Sequence, residues 1–234
     1  MATSHIFGPS TVTGGIIFNS FIGDDEIDGS NSADSIRGGA GDDTIFGNGG
    51  NDRLFGDNHN DWLFGNNGND EIFGGEDNDT LYGGKGNDWV HGEGGNDLLN
   101  GNLLSDIIQA GAGNDTAYGG QGNDSISAGS GNDWLSGDRD NDTLIGGGGA
   151  DRFVYASAGQ TDRINDYEPG FDKILIDLTD GQVNGVVLGN GNDVLARTTD
   201  TAEGAFISLG PTGEGILLAG IDRAQLTQFD FEFI

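Results

Sequence analysis

Gly119-Gly120-Gln121-Gly122-Asn123-Asp124-Ser125-Ile126-Ser127 is the stretch that decides the fold, and Gly83-Gly84-Lys85-Gly86-Asn87-Asp88-Trp89-Val90-His91 repeats its pattern. Working outward from these two copies, aspartates recur every nine residues: Asp25, Asp34, Asp43, Asp52, Asp61, Asp70, Asp79, Asp88, Asp97, Asp106, Asp115, Asp124, Asp133, Asp142 and Asp151. Two residues after each comes an apolar side chain, running Ile27, Ile36, Ile45, Leu54 and onward to Leu144 and Phe153. Six loop residues followed by three extended ones turn the middle strand residue inward and its two neighbours outward. Two nonapeptides then close one coil of 18 residues, and coils stack ~4.8 Å apart as parallel sheets. The expected fold is all-β, a parallel β-roll of the solenoid type. It occupies 20–154, between an N-terminal cap at 1–19 and a β-rich C-terminal cap at 155–234.

The second loop position tests this reading. Where it is not glycine it is Asn48, Asp57, Asn66, Asn102 or Asp138, with Glu93, Ser30 and Phe21 as exceptions. Asn and Asp are the non-glycine residues that best tolerate φ > 0, so the glycines serve loop geometry.

Composition narrows the function. Lys and Arg total 9 against 39 Asp and Glu, a net charge of −30, which disfavours nucleic acid and makes cations the natural partner. Disorder would not hold apolar residues in register across the array. Cysteine is absent. No apolar run approaches the ~18 residues of a membrane span, and the start lacks the features of a signal peptide.

Aspartates nine apart fall on opposite edges of the roll, and those 18 apart lie one coil above another. Each edge would be a column of repelling carboxylates without a cation between coils. Two carboxylates plus several loop carbonyls suit Ca²⁺, which takes 6–8 oxygens at ~2.3–2.6 Å; Zn²⁺ favours His or Cys, and Mg²⁺ a stricter octahedron. The expected ligands are the aspartates above except Asp106. With them come the carbonyl-presenting glycines of the most regular loops: Gly38, Gly39 and Gly41; Gly74 and Gly75; Gly83, Gly84 and Gly86; Gly119, Gly120 and Gly122; Gly146, Gly147 and Gly149. Eight loops on one edge and seven on the other allow at most 13 ions. His59, Asp77 and Asp140 replace the fourth-position glycine elsewhere, and Asp106 follows Leu103-Leu104. A gap is expected at Asp106, leaving roughly 11 ions. A ligand at ten times its dissociation constant adds about 1.4 kcal/mol per site, so these sites together add on the order of 15 kcal/mol. That rivals the whole stability of a domain, and the roll is expected to fold on binding calcium.

The Gly-Gly-x-Gly-x-Asp-x-U-x pattern, with U apolar, resembles the RTX, or hemolysin-type, calcium-binding repeat. The resemblance implies one ion between consecutive loops on an edge. Asp151-Arg152-Phe153-Val154-Tyr155, Asp162-Arg163-Ile164-Asn165-Asp166-Tyr167 and Gly170-Phe171-Asp172-Lys173-Ile174 are similar to the C-terminal region of serralysin-type RTX proteins. The closing Gln228-Phe229-Asp230-Phe231-Glu232-Phe233-Ile234 is similar to their uncleaved export signal. This implies type I secretion and an extracellular location.

No catalysis is expected. His5, His59 and His91 do not form His-Glu-x-x-His, no serine sits in Gly-x-Ser-x-Gly, and only 19 residues precede the roll. Outward positions carry Phe46, Trp62, Phe64, Tyr82, Tyr118 and Trp134 on one face and Phe55, Phe73, Trp89 and His91 on the other. They are candidates for sheet-stabilising ladders, for self-association, or for a glycan surface like the R modules of alginate epimerases. Leu98, Leu103, Leu104 and Ile107 form an apolar cluster. Beyond the array, Ile174–Ile176, Val186–Leu188, Ala205–Ile207 and Gly215–Ile221 read as strands. Gly189-Asn190-Gly191-Asn192-Asp193 reads as a hairpin turn or an additional ion site.

Overall fold

The computed structural model describes residues 4–7, 17–19, 22–155, 160–177, 182–183, 186–187, 190–210 and 213–234. Its architecture is a two-sheet parallel solenoid, with eleven strands in one sheet and twelve in the other among the described residues. Register repeats at one coil throughout the array. Trp62 stands between Thr44 and Thr80 in the first sheet, and Trp89 between Glu71 and Ile107 in the second.

One inward residue per repeat builds the core. Ile45, Leu54, Leu63, Ile72, Leu81, Val90 and Leu99 are all fully buried, each contributing about 1.5–3 kcal/mol relative to exposure. Most strands of the repeat array are six residues long rather than the expected three, as in Trp62–Asn67 and Thr80–Lys85. Because every coil has the same shape, main-chain pairing between coils continues into the first three loop positions.

The turns confirm the backbone argument. Asn48, Asp57, Asn66, Asn102 and Asp138 all have φ between 69° and 78°. So does Glu93, at 73°, and the fourth-position residues His59, Asp77, Leu104 and Asp140 lie at 77–79°. Loop shape therefore prevails over residue preference, at a strain of about 1–2 kcal/mol for a side chain like leucine.

The sheets do not stop at Val154. Thr161–Ile164 pairs with Thr143–Gly148, and Lys173–Ile176 with Arg152–Tyr155, so two further strands continue the stack. Gly215–Ala219 joins next and carries the antiparallel strands Gly204–Ser208 and Thr198–Asp200, while Phe231–Phe233 ends the other sheet. At the start, Ser4–Phe7 and Ile17–Asn19 each add a parallel strand. Much of the expected N-terminal cap, at 1–3 and 8–16, lies outside the described residues, as does Leu188.

The hairpin reading of Gly189–Asp193 is corrected over its described residues, from Asn190 on. Asn190 caps a short helix, Gly191–Ala196: its side chain accepts from the Asn192 amide, and Asp193 returns a bond to the Asn190 amide. Asn three residues before Asp is a capping box as well as a turn signal, and here the box prevailed.

Candidate metal centres

Each repeat aspartate sits where its loop turns into the next inward strand, and all fifteen are at most 4% exposed. The two carboxylate oxygens have different lives. Oδ1 accepts the main-chain N–H of the aspartate one coil earlier, as in Asp43 to Asp61 (2.7 Å), Asp70 to Asp88 (2.9 Å) and Asp106 to Asp124 (2.8 Å). Oδ2 is buried and has no hydrogen-bond partner in twelve of them: Asp43, Asp52, Asp61, Asp70, Asp79, Asp88, Asp97, Asp106, Asp115, Asp124, Asp133 and Asp142. A buried carboxylate oxygen without a partner is costly, and twelve in two columns call for positive charge.

These oxygens lie inside the loops. A Cβ built on Gly38 would come within 2.3 Å of the Oδ2 of Asp43, and one on Gly119 within 2.4 Å of that of Asp124. Ala110 and Ala128 hold the equivalent place in the loops of Asp115 and Asp133. Fourth-position carbonyls project into the gap between coils: a Cβ on Gly68 would meet the Gly50 oxygen at 1.3 Å, and one on Gly86 the Gly68 oxygen at 1.5 Å. Among the described residues no three Asp, Glu or His side chains converge on a point. Any ion here would take two aspartates at most and complete its shell from the main chain, which suits calcium's high oxygen count and flexible geometry.

The metal-free fold works against its own ionisation. Burial, opposed by the main-chain hydrogen bond and reinforced by neighbouring aspartates, pushes the carboxyls of Asp61, Asp106 and Asp142 up to about 8. Asp52, Asp79 and Asp88 rise to about 7 from the same leading cause. A divalent cation reverses that balance.

The expected ligands are brought together in pairs one coil apart, and those nine residues apart stand on opposite edges. Asp106 keeps the same register as its neighbours, with Oδ2 equally unpartnered. The Leu104 carbonyl also takes the glycine carbonyl's place, 2.3 Å from a Cβ built on Gly122. The leucines therefore leave the loop geometry at Asp106 intact. Asp34 differs: the Ser30 amide donates to its Oδ2 at 2.6 Å and the Ser30 hydroxyl to its Oδ1 at 3.1 Å.

Two features escaped the sequence reading. Asp162 and Asp172 extend the columns, their Oδ1 atoms accepting from the amides of Asp142 and Asp151 at 3.1 and 3.0 Å. Gln160 and the Glu168 amide occupy their second oxygens, so the chain itself closes both columns. Short insertions put them off the nine-residue count, but each is followed two residues later by an inward isoleucine, Ile164 or Ile174, and that signal was available. The second feature is a ladder at the fifth loop position. The Asn51 side chain accepts from the Asn69 amide, Asn69 from Asn87, and Asn87 from Ser105 at 3.0–3.1 Å, with a matching run through Asn60, Asn78, Asn96 and Asn114 on the other edge.

The outward aromatics form the two expected sets. Phe46, Phe64 and Tyr82 stack at 5.0 and 5.2 Å in one sheet, and Phe55, Phe73 and His91 at 5.0 and 4.8 Å in the other.

A solenoid of nonapeptide coils, with paired aspartates at every turn and glycine carbonyls between them, defines the class of parallel β-rolls built for cations. The family model for the RTX calcium-binding nonapeptide repeat matches residues 20–54, 55–90, 73–107, 100–135 and 127–157, more than half the chain, and the protein belongs to that family. No curated protein matches. Among solved structures the chain is similar to the extracellular lipase LipA from Serratia marcescens, with 16% identity, a TM-score of 0.48, and coverage of 89% of this chain but only 39% of the lipase. It is also similar to the AlgE6R3 subunit of the Azotobacter vinelandii mannuronan C5-epimerase, with 24% identity, a TM-score of 0.28, and coverage of 70% and 77%.

Proposed function

We propose that the protein is a secreted, non-catalytic roll whose fold is completed by about a dozen calcium ions, one for each unpartnered aspartate oxygen. The observation that carries this reading is the set of twelve buried Oδ2 atoms without a partner. They form two columns of six, and farther along the same columns the chain itself satisfies the second oxygens of Asp34, Asp162 and Asp172. Bound between consecutive loops, the ion supplies positive charge and coordination to oxygens that otherwise repel. The chain's own residues fix the spacing: Oδ1 ties each coil to the last, and the αL loop positions aim carbonyls into the gap.

Weak, numerous sites of the extracellular kind, at ~10⁻⁴–10⁻³ M, would stay empty in cytosol and fill outside the cell, which supports export of an unfolded chain through a type I system. The stacked aromatics cover one another's faces within each ladder. A sugar would meet mostly ring edges, which favours a sheet-stabilising role over glycan binding.

The test is a calcium titration followed by far-ultraviolet circular dichroism, with bound calcium counted by equilibrium dialysis. Cooperative gain of β-structure and about a dozen ions per chain are expected. A chain fully folded in excess chelator would overturn the proposal.

A further inference from the structure

The two loop edges carry opposite characters. At loop positions two to five, the edge holding Asp43 to Asp133 has Asp24, Asp42, Asp57, Glu76, Asp77 and Glu93 and no Lys or Arg. The same positions on the edge holding Asp52 to Asp142 carry two acidic residues, Asp138 and Asp140, balanced by Lys85 and Arg139. In a chain of net charge −30, this is a neutral rim. It also bears the exposed pair Leu103 and Leu104, 38% and 51% accessible, with Leu104 held at φ 77°. Glycine would occupy that position without strain. A half-exposed leucine in αL geometry carries backbone strain that glycine would not, and presents an apolar side chain at the rim.

Beside it lies a hollow of about 560 Å³ whose lining includes Lys85, Leu103, Leu104, Gln121, Gly122 and Asp140. The order along the edge, one coil per step, is Lys85, Leu103-Leu104, Gly122, Asp140. A two-fold axis passing between the Leu104 and Gly122 loops maps this series onto itself in reverse. It sets Leu104 of each copy into the hollow lined by Gly122 of the other, and Lys85 of each against Asp140 of the other. It also brings third-position side chains over fourth- and fifth-position ones, because the axis exchanges the two sides of the loop.

We propose that this edge is a self-association surface, and that the occupant of the hollow is Leu104 from a second copy of this chain in an antiparallel, isologous pair. The pairing rests on the calcium-filled roll proposed above, since metal-free columns would repel and the loops would lack fixed shape. Apolar knobs in glycine hollows supply contact, and the two Lys85–Asp140 pairs set the register.

Sedimentation equilibrium of the calcium-loaded full chain is the test, with circular dichroism run on the same samples. A concentration-dependent dimer is expected for the native sequence. Leu104→Gly removes the knob while relieving backbone strain, so it should keep or raise the melting temperature and weaken dimerisation roughly a hundredfold. Asp140→Lys should also weaken the dimer, and adding Lys85→Asp to it should restore association. A strictly monomeric, calcium-folded native chain overturns this inference and leaves the calcium reading intact. So does a Leu104→Gly protein that dimerises as well as the native one, or a charge-swapped double variant that gains nothing over Asp140→Lys. A chain that ignores calcium overturns the underlying reading instead.

Discussion

Asp61→Asn separates the roles of the two carboxylate oxygens. The amide retains an oxygen to accept the Asp43 N–H, a bond of 2.7 Å, so coil spacing survives. What is lost is the charge at a buried Oδ2 that has no partner, on an aspartate that, with ions held between consecutive loops as proposed, would serve the ion on either side of its own loop. At about ten times the dissociation constant each such site contributes about 1.4 kcal/mol, so weakening both costs about 3 kcal/mol in calcium. For a chain of this size that corresponds to a fall of roughly 6–12 °C in Tm. Without calcium the sign reverses. Burial raises the Asp61 carboxyl to about 8, so ionisation opposes the metal-free fold at neutral pH, and the neutral amide removes that opposition. The assay is thermal melting of both proteins at saturating calcium and in chelator, with bound calcium measured alongside. The expected result is a lower Tm and one or two fewer ions in calcium, together with equal or greater residual structure in chelator. The same loss of stability with and without calcium would refute the argument, because it would mean that the carboxylate acts only through the chain.

Asp162→Asn is the matching control: its second oxygen is held by Gln160 at 3.2 Å, so its effect on melting should not depend on calcium. Gly68→Ala puts a Cβ 1.3 Å from the Gly50 oxygen at φ 138°, and should cost at least about 3 kcal/mol in denaturant titrations, whereas Gly148→Ala meets nothing within 4 Å and should be nearly silent. The columns also set a pH dependence. Carboxyls raised from 3.8 to about 6–8 in the fold make the metal-free roll most stable below the unfolded value, and that stability is lost as pH rises through the folded values. Chelated protein should therefore show more β-structure by circular dichroism at pH 5.5 than at pH 7.5, and calcium binding near pH 6.5 should release protons into a weak buffer. Asn69→Ala removes the side-chain oxygen that accepts the Asn87 amide, one rung of the fifth-position ladder, and should cost about 1 kcal/mol by thermal melting in calcium.

The roll was legible because its period is unbroken: one inward residue and one aspartate every nine residues leave a single way to coil. Loop backbone signs were legible from Asn and Asp at position two, since left-handed geometry restricts which side chains can stand there. The asparagine ladder was not, because a polar residue before most of the aspartates looks solvated until coils are stacked and its oxygen is found over the next amide. Asp162 and Asp172 were missed because insertions erase periodicity while leaving strand pairing intact. At Leu104 the side chain suggested a broken loop, but neighbouring coils impose the backbone path, and only its cost remains.

The first and last strands of the stack stand at opposite ends, and the main-chain bonds between coils run along the line joining them. A pull on the two termini would load those bonds in series, so that coils peel away one after another instead of shearing together. Each 18-residue turn would release ~60 Å of slack. Calcium bridging the same gaps would act as a row of rivets, so that the force needed to part successive coils would rise with the calcium around them.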